Sequence, residues 1–285
     1  AGDASGGGTL TGSNSANVWI IDGLNSGTLN GVSFSGVANL VGGTDTTDSF
    51  TFLPAGVLTG TIDGGDGSGG ESDTLTGDDN GNVFSVTGLD SGTLTDLATA
   101  PRTSGFSNIE TLAGGSGDDQ FRFHDDGAGT VGRLTGGVDG AGGTDELFVA
   151  DYSTDVTYTL TDVGSTDGFT GSTDGGVNPN PIGTTFDNVE TITENGLGND
   201  TLVGRPAAAT WLISTSNTYT SSNTLGFTGI ENLTGGSGDD TFDIREVTQP
   251  LFIPVEGTID GGGGSDTLSG DDVANNWNVT GSNQG

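Results

Sequence analysis

Aspartates of this chain recur in one local setting, behind closely spaced glycines and just ahead of a large apolar residue. Residues 114–122 read GGSGDDQFR, 235–243 read GGSGDDTFD and 261–269 read GGGGSDTLS. All three fit G-G-x-G-x-D-x-φ-x, with φ a large apolar residue. Residues 195–203, NGLGNDTLV, depart only at the first position, and looser versions stand at 42–50, 64–75 and 140–147. SGGGTL at 5–10 keeps the glycines and lacks the acid. The chemistry is that of a hard cation site. Glycine permits positive φ and so turns carbonyl oxygens inward, and the Asp adds an anionic oxygen. Calcium takes about six to eight oxygens at ~2.3–2.6 Å and tolerates irregular geometry, which stacked turns can supply. The chain has no Cys, so thiolate zinc sites and disulfides are excluded. Its one histidine, His124 in FRFHDDG, reads as an exposed loop residue.

These turns resemble the nonapeptide of the RTX (repeat-in-toxin) family, secreted bacterial proteins whose parallel β-rolls bind calcium. By that resemblance Asp119, Asp240 and Asp266 are the first ligand candidates, followed by Asp200, Asp73, Asp145 and Asp48. Several ions would then lie between stacked Gly-Asp turns. The second acid in each of the pairs Asp118-Asp119, Asp239-Asp240 and Asp78-Asp79 is expected to be a solvated surface charge. The pattern departs from the family in spacing. RTX nonapeptides follow one another directly, whereas here roughly 13 to 30 residues separate them. A tight β-roll is therefore not implied, but turns of neighbouring rungs can still stack, as Gly42 on Gly64, Gly114 on Gly136 and Gly235 on Gly261. The competing reading makes these turns Gly/Asp-rich corners with solvated carboxylates.

What must hold such turns is a repeat. An apolar residue followed by a spacer and Gly-Gly returns at Leu40, Ile62, Leu112, Leu134, Leu233 and Ile259, with a degenerate copy at Ile192. Aromatic starts of short apolar runs fall between them at Trp19, Phe84, Tyr158, Trp211 and Trp277. The merged markers average about 23 residues apart, which predicts an all-β fold: a single continuous parallel β-helix, or β-solenoid, of about 12 rungs. Three rungs make a unit of ~65 residues, giving approximate units 19–83, 84–157, 158–210 and 211–276 with partial units 1–18 and 277–285. The third unit is a rung short, and 164–185 reads as a looped-out insertion. No separate domain is evident. Segments such as NVWII (17–21), SFTFL (49–53) and TWLIS (210–214) alternate or are β-branched, as strands require. The tryptophans recur in phase and are expected in the core.

Composition narrows the function classes. There are 56 Gly among 285 residues, and 39 acids against five bases, all Arg, give a formal charge of −34. So much Gly and Asp rules out a helical bundle, and the absence of a basic face rules out nucleic acid as a partner. No apolar run is long enough to span a membrane. Low hydrophobicity with high charge is the signature of disorder, but the argument assumes bare carboxylates. The expectation is disorder without calcium and an ordered rod with it.

The function expected is a calcium-stabilised structural or adhesive segment of a secreted or cell-surface repeat protein. It would not be an enzyme, and its location would be extracellular or on the cell surface. Its partners would be calcium and adjacent copies or continuing repeats end to end, as in a filament, with surface glycans or other cells as further candidates. The chain starts and stops in mid-repeat, with 277–285 in phase with 19–27, as a window of a longer array would. The alternative class is a polysaccharide-active β-helix enzyme (lyase, hydrolase or epimerase-like), since paired carboxylates are abundant. Two lesser alternatives are a halophile surface protein, whose acidity serves salt solubility, and ice binding by a Thr-rich surface.

Overall fold

A computed structural model describes residues 7–44, 46–65, 72–98, 100–125, 131–149, 152–175, 180–195, 197–245, 257–271 and 278. All regular structure among them is β, with no helix, and the strands form two large, mostly parallel sheets of 14 and 13 strands. Between meanders the chain places successive strands in alternate sheets. Ser49–Phe52 lies in the 13-stranded sheet, Thr61–Asp63 in the other and Thr74–Thr76 back in the first. Trp277 lies outside the described residues.

Four three-stranded antiparallel meanders interrupt this alternation. They are built from Val18–Gly23, Ser26–Leu29 and Val32–Ser35; Asn82–Gly88, Ser91–Asp96 and Gly105–Ser107; Thr157–Val163, Phe169–Asp174 and Phe186–Val189; and Thr210–Ile213, Asn217–Ser221 and Asn223–Thr228. Each meander starts at one of the aromatic markers. In the second, the first strand pairs in parallel with the following coil (Phe84 with Phe121) and the last with the preceding one (Phe106 with Ile62). The chain thus steps backward across each meander, adding three strands to one sheet while the other gains one. Meanders alternate between the sheets, so both grow at the same overall rate. The hairpin tips GLNSG and GLDSG carry Asn25 (φ 52°) and Asp90 (φ 49°) in the left-handed region, which short polar side chains tolerate.

The markers therefore belong to two series. Leu40 stacks on Ile62 in one sheet, whereas Trp19 stacks on Phe50 in the other. The stretch 164–185 is not all loop either, because Phe169–Asp174 is the middle strand of the third meander.

Period-two alternation sends every second side chain between the sheets. One inward column runs Trp19, Phe50, Leu75, Leu112, Val138 and Phe186. Another runs Phe84, Phe121, Leu147, Ile192 and Phe227, and all of these side chains are buried. Parallel register lays equivalent rings on one another: Trp19 on Phe50 at 5.6 Å, Phe84 on Phe121 at 5.1 Å and Trp211 on Phe242 at 5.3 Å. Trp19 and Trp211 are core residues, as expected. Among the described residues no helix is long and apolar enough to cross a membrane.

A test of this packing is Phe121→Ala, which removes a ring held between Phe84 and Leu147. It should lower unfolding free energy by about 3–5 kcal/mol in chemical denaturation. Leu197→Ala, at a side chain 59% exposed, should change it by less than about 0.5 kcal/mol. Equal effects would contradict the core assignment.

Candidate cation sites at the stacked turns

A strand stacked in parallel on its neighbour leaves an unpaired N–H where the chain turns in, just before the ladder begins. At most of these entries the gap is closed by an acid of the next coil. Asn17 donates to Asp48 Oδ1 through its backbone N (2.6 Å) and Nδ2 (2.8 Å), Asp48 N donates to Asp73 Oδ1 (2.6 Å) and Asp73 N to Glu110 Oε2 (2.7 Å). On the opposite turn edge Asn82 donates likewise to Asp119 Oδ1 (2.7 and 2.8 Å), Asp119 N to Asp145 Oδ1 (2.8 Å) and Asp145 N to Glu190 Oε2 (2.6 Å). A third ladder runs from Val156 N to Asp200 Oδ1 (2.7 Å) and from Asp200 N to Glu231 Oε2 (2.9 Å). In the fourth, Asp240 N donates to Asp266 Oδ1 (3.0 Å). Backbone bonds begin one residue later, as Glu146 N to Asp119 O (2.9 Å). The acid thus extends each parallel ladder by one bond.

All seven Asp candidates hold this position. Six are buried, with Asp48, Asp119 and Asp145 at 0% exposure, while Asp266 at the end of the stack is exposed. The stacking partners are those expected for Gly42 with Gly64 and Gly235 with Gly261, but Gly114 stacks against Gly140 rather than Gly136, following the Leu112–Val138 register. Sequence reasoning missed Glu110, Glu190 and Glu231, and the terminal amides Asn17 and Asn82. A signal for them exists in FSNIETL (106–112), FDNVETI (186–192) and FTGIENL (227–233), where an acid again stands two residues before a buried apolar one. These corners turn through Asn108, Asn188 and Gly229 at positive φ instead of Gly-Gly.

The adjacent acids are not simply solvated. Asp118 Oδ1 accepts the Thr144 N–H (2.8 Å) and Asp239 Oδ1 the Ser265 N–H (2.8 Å), fastening consecutive turns at a second point. Asp79 Oδ1 does the same for Ser116 N (3.2 Å). Asp78 is buried and ion-paired with Arg102, which also donates to the carbonyls of Pro54 (2.9 Å) and Gly56 (3.1 Å). His124 is half-buried.

One carboxylate oxygen closes the ladder; the other is the candidate for function. Asp119 Oδ2, Asp145 Oδ2 and Asp200 Oδ2 are shielded from solvent and have no hydrogen-bond partner. Such an atom carries a desolvation penalty unless something compensates it. At Asp119 the oxygen shares its place with a carbonyl: a Cβ on Gly114 would overlap both Asp119 Oδ2 and Gly140 O. A Cβ on Gly140 would overlap Asp145 Oδ2 and Asn188 O in the same way. Glycine is required there because oxygens of two coils converge where a side chain would begin. At Asp48 the second oxygen already accepts the Gly43 N–H, and at Asp240 Oδ2 accepts that of Gly236 (2.9 Å).

Burial, reinforced by neighbouring charge, holds these carboxyls well above the usual carboxylate range. Asp119 is pushed up to about 6, Asp200 and Glu190 to about 7 and Asp145 to about 8, in each case mainly by desolvation. Asp240 is raised by the same cause. Glu194, which stands where other turns have glycine, is pushed to about 9 by burial and is bonded to the Tyr158 hydroxyl.

The donor set, carboxylate and carbonyl oxygen without nitrogen or sulfur, fits a hard divalent cation such as calcium. Among the described residues no three acidic or histidine side chains form a ready cage. An ion at Asp119 or Asp145 would therefore draw part of its shell from backbone carbonyls such as those of Gly140 and Asn188.

Two outcomes follow. Because the folded pKa values lie above the unfolded ~4, the protonated carboxyls favour the folded state, and that contribution is complete below ~4 and disappears as pH rises through 6 to 9. The calcium-free chain should therefore melt at progressively lower temperature from pH 4.5 to pH 9; a flat or rising trend would contradict the burial of these acids. Gly114→Ala should destabilise the chain by at least ~1 kcal/mol in denaturant titration, since its Cβ meets backbone as well as Asp119; a neutral effect would remove the convergent-oxygen geometry.

Compared with protein-family models, with curated proteins and with solved structures, the chain finds no match in any of the three.

Proposed function

We propose that this chain is a calcium-stabilised structural or adhesive segment of a secreted or cell-surface repeat protein, folded as one continuous β-solenoid with RTX-like turns. The observation that carries the reading is the set of buried, unpartnered carboxylate oxygens repeated at one turn position in consecutive coils. Asp119 and Asp145 are the best-placed ligands, with Asp48, Asp73, Asp200, Asp240 and Asp266 at equivalent positions. A bound calcium ion supplies divalent charge that compensates carboxylates carried at the same position by adjacent coils.

The chain's own residues do the rest. The Asp Oδ1 atoms hold each turn on its neighbour, the glycines admit the carbonyls, and the paired acids Asp118 and Asp239 fasten the outer turn. A core laid between two large, mostly parallel sheets can then stand without a globular interior, which suits a spacer or stalk. Continuing repeats or adjacent copies would add to the terminal strands of the two sheets, and ligand or cell contacts would lie along the outer faces.

Calcium should raise the melting temperature of the chelator-treated chain at pH 7.5. Each site held at a free ion concentration 100 times its Kd contributes about 2.7 kcal/mol. Asp119→Asn and Asp240→Asn should each lower the number of ions bound in equilibrium dialysis. Identical melting curves with calcium and with chelator would refute the reading.

A further inference from the structure

A cavity of about 340 Å³ opens on the outer face of the 14-stranded sheet, within the ~300–1,000 Å³ of small-ligand sites. Its floor is one register column, in which Gln120 pairs with Glu146 and Glu146 with Thr191 across adjacent parallel strands. The next residues along, Phe121, Leu147 and Ile192, fill the core, so period-two alternation turns the three floor side chains outward. Asp118 and Thr144 border the cavity from the turns that lead into these strands, joined by the bond from Thr144 N–H to Asp118 Oδ1 (2.8 Å). Leu97, which follows strand Ser91–Asp96, supplies an apolar wall and is 44% exposed. It is seated beside the Asp118 turn, since a Cβ on Gly81 would overlap both Leu97 and the Asp118 carbonyl.

The polar floor is oriented in advance. Arg122, its guanidinium 4.8 Å from the centre of the Phe148 ring, donates to Gln120 Oε1 through Nε (3.2 Å) and a terminal nitrogen (2.8 Å). With Oε1 committed to the arginine, Gln120 Nε2 faces Glu146 and donates to its Oε2 (2.9 Å). Thr193 Oγ1 donates to Glu146 Oε1 (2.5 Å). An amide nitrogen carries two N–H donors, a carboxylate oxygen two acceptor sites, and a threonine hydroxyl both functions. Gln120, Glu146, Thr144 and Thr191 therefore mix donors and acceptors on fixed side chains, which lowers the ordering cost of binding. Asp119 also borders the cavity but is 0% exposed, with its Oδ1 held by Asn82, so it stands behind the surface that a ligand touches.

This lining selects among ligands. A metal ion or an ammonium group would use the carboxylates and leave the amide and hydroxyl donors idle. An anion would meet Asp118, Glu146 and a formal chain charge of −34, which repel it. A sugar hydroxyl donates and accepts at once, and a pyranose ring offers a C–H face to Leu97. We infer that the cavity binds a sugar unit of a neutral glycan, with Glu146 and Gln120 bonding its hydroxyls and Leu97 packing on its ring. The inference rests on the adhesive part of the function proposed above, to which it gives a place and a ligand class, and not on the calcium part.

The test is titration of the ¹⁵N-labelled full chain, in calcium-containing buffer, with maltotetraose, cellotetraose, mannotetraose and galactotetraose, followed by NMR. At least one of these should shift the Gln120 side-chain amide and the Thr144 and Thr191 backbone amides. Glu146→Ala should weaken that binding on the order of tenfold or more, the worth of a hydrogen bond to a charged group. Leu97→Ala, which leaves every bond of the floor in place, should weaken it by about threefold. No shift at these amides up to about 10 mM of any of the sugars, well above a millimolar Kd, overturns the site, as does binding unchanged in both variants. Shifts with spermidine and with none of the sugars overturn the ligand class. Absent sugar binding in a chain whose melting temperature still rises with calcium refutes the sugar site alone, whereas sugar binding by a chain whose melting ignores calcium refutes the calcium reading alone.

Discussion

A carboxylate that accepts the backbone N–H of the coil beside it is the interaction on which this structure depends. Parallel strands can share hydrogen bonds only while they run side by side, and each turn strands a donor at the ladder entrance. Asp119, bonded to Asn82 and in turn receiving Asp145 beneath its own N–H, shows the solution: the side chain acts as one more backbone carbonyl. A neutral amide can start such a series, and Asn17 and Asn82 do so with both backbone and side-chain donors. Within the series the residue is an aspartate at the Gly-rich turns and a glutamate where the corner turns through Asn108, Asn188 or Gly229.

That solution has an electrostatic consequence. In the second ladder buried carboxyls line up at the spacing of adjacent strands, and the charges of Asp119 and Glu190 add to the cost of ionising Asp145 between them. One remedy is a proton, which the carboxyl of Asp145 holds at neutral pH because burial pushes it to about 8. The other, on the proposed reading, is a cation at the second oxygens of Asp119, Asp145 and Asp200, which stand unpartnered. Proton and cation would then compete for the same atoms. The glycines belong to the same account, since the convergence of Asp119 Oδ2 and Gly140 O leaves no room for a Cβ on Gly114.

The Gly-Asp turns, the alternating strands and the in-phase aromatics made the all-β class and the seven acids legible, because turn chemistry and side-chain period are local properties. The two-sheet arrangement was not legible, for a reason the Phe84 segment shows. Its strand stacks on Phe121, while the next two strands fold back until Phe106 meets Ile62. A period read along the chain cannot reveal that the chain reverses direction in space. Glu110, Glu190 and Glu231 escaped notice because glycine, rather than the acid before a buried residue, was the anchor of the motif. Asp78 looked like half of a solvated pair, yet its partner Arg102 lies far away in sequence and reaches it only in the folded stack.

On the proposed reading the second carboxylate oxygen of the ladder acids is a cation ligand and not merely an unsatisfied atom. A crystal structure grown with calcium and examined for anomalous scattering beside Asp119, Asp145 and Asp200 distinguishes the two. Calcium ligation predicts peaks within about 2.3–2.6 Å of those free oxygens and of the neighbouring carbonyls. Ordered ladders with water or nothing at these positions, at saturating calcium, would contradict it.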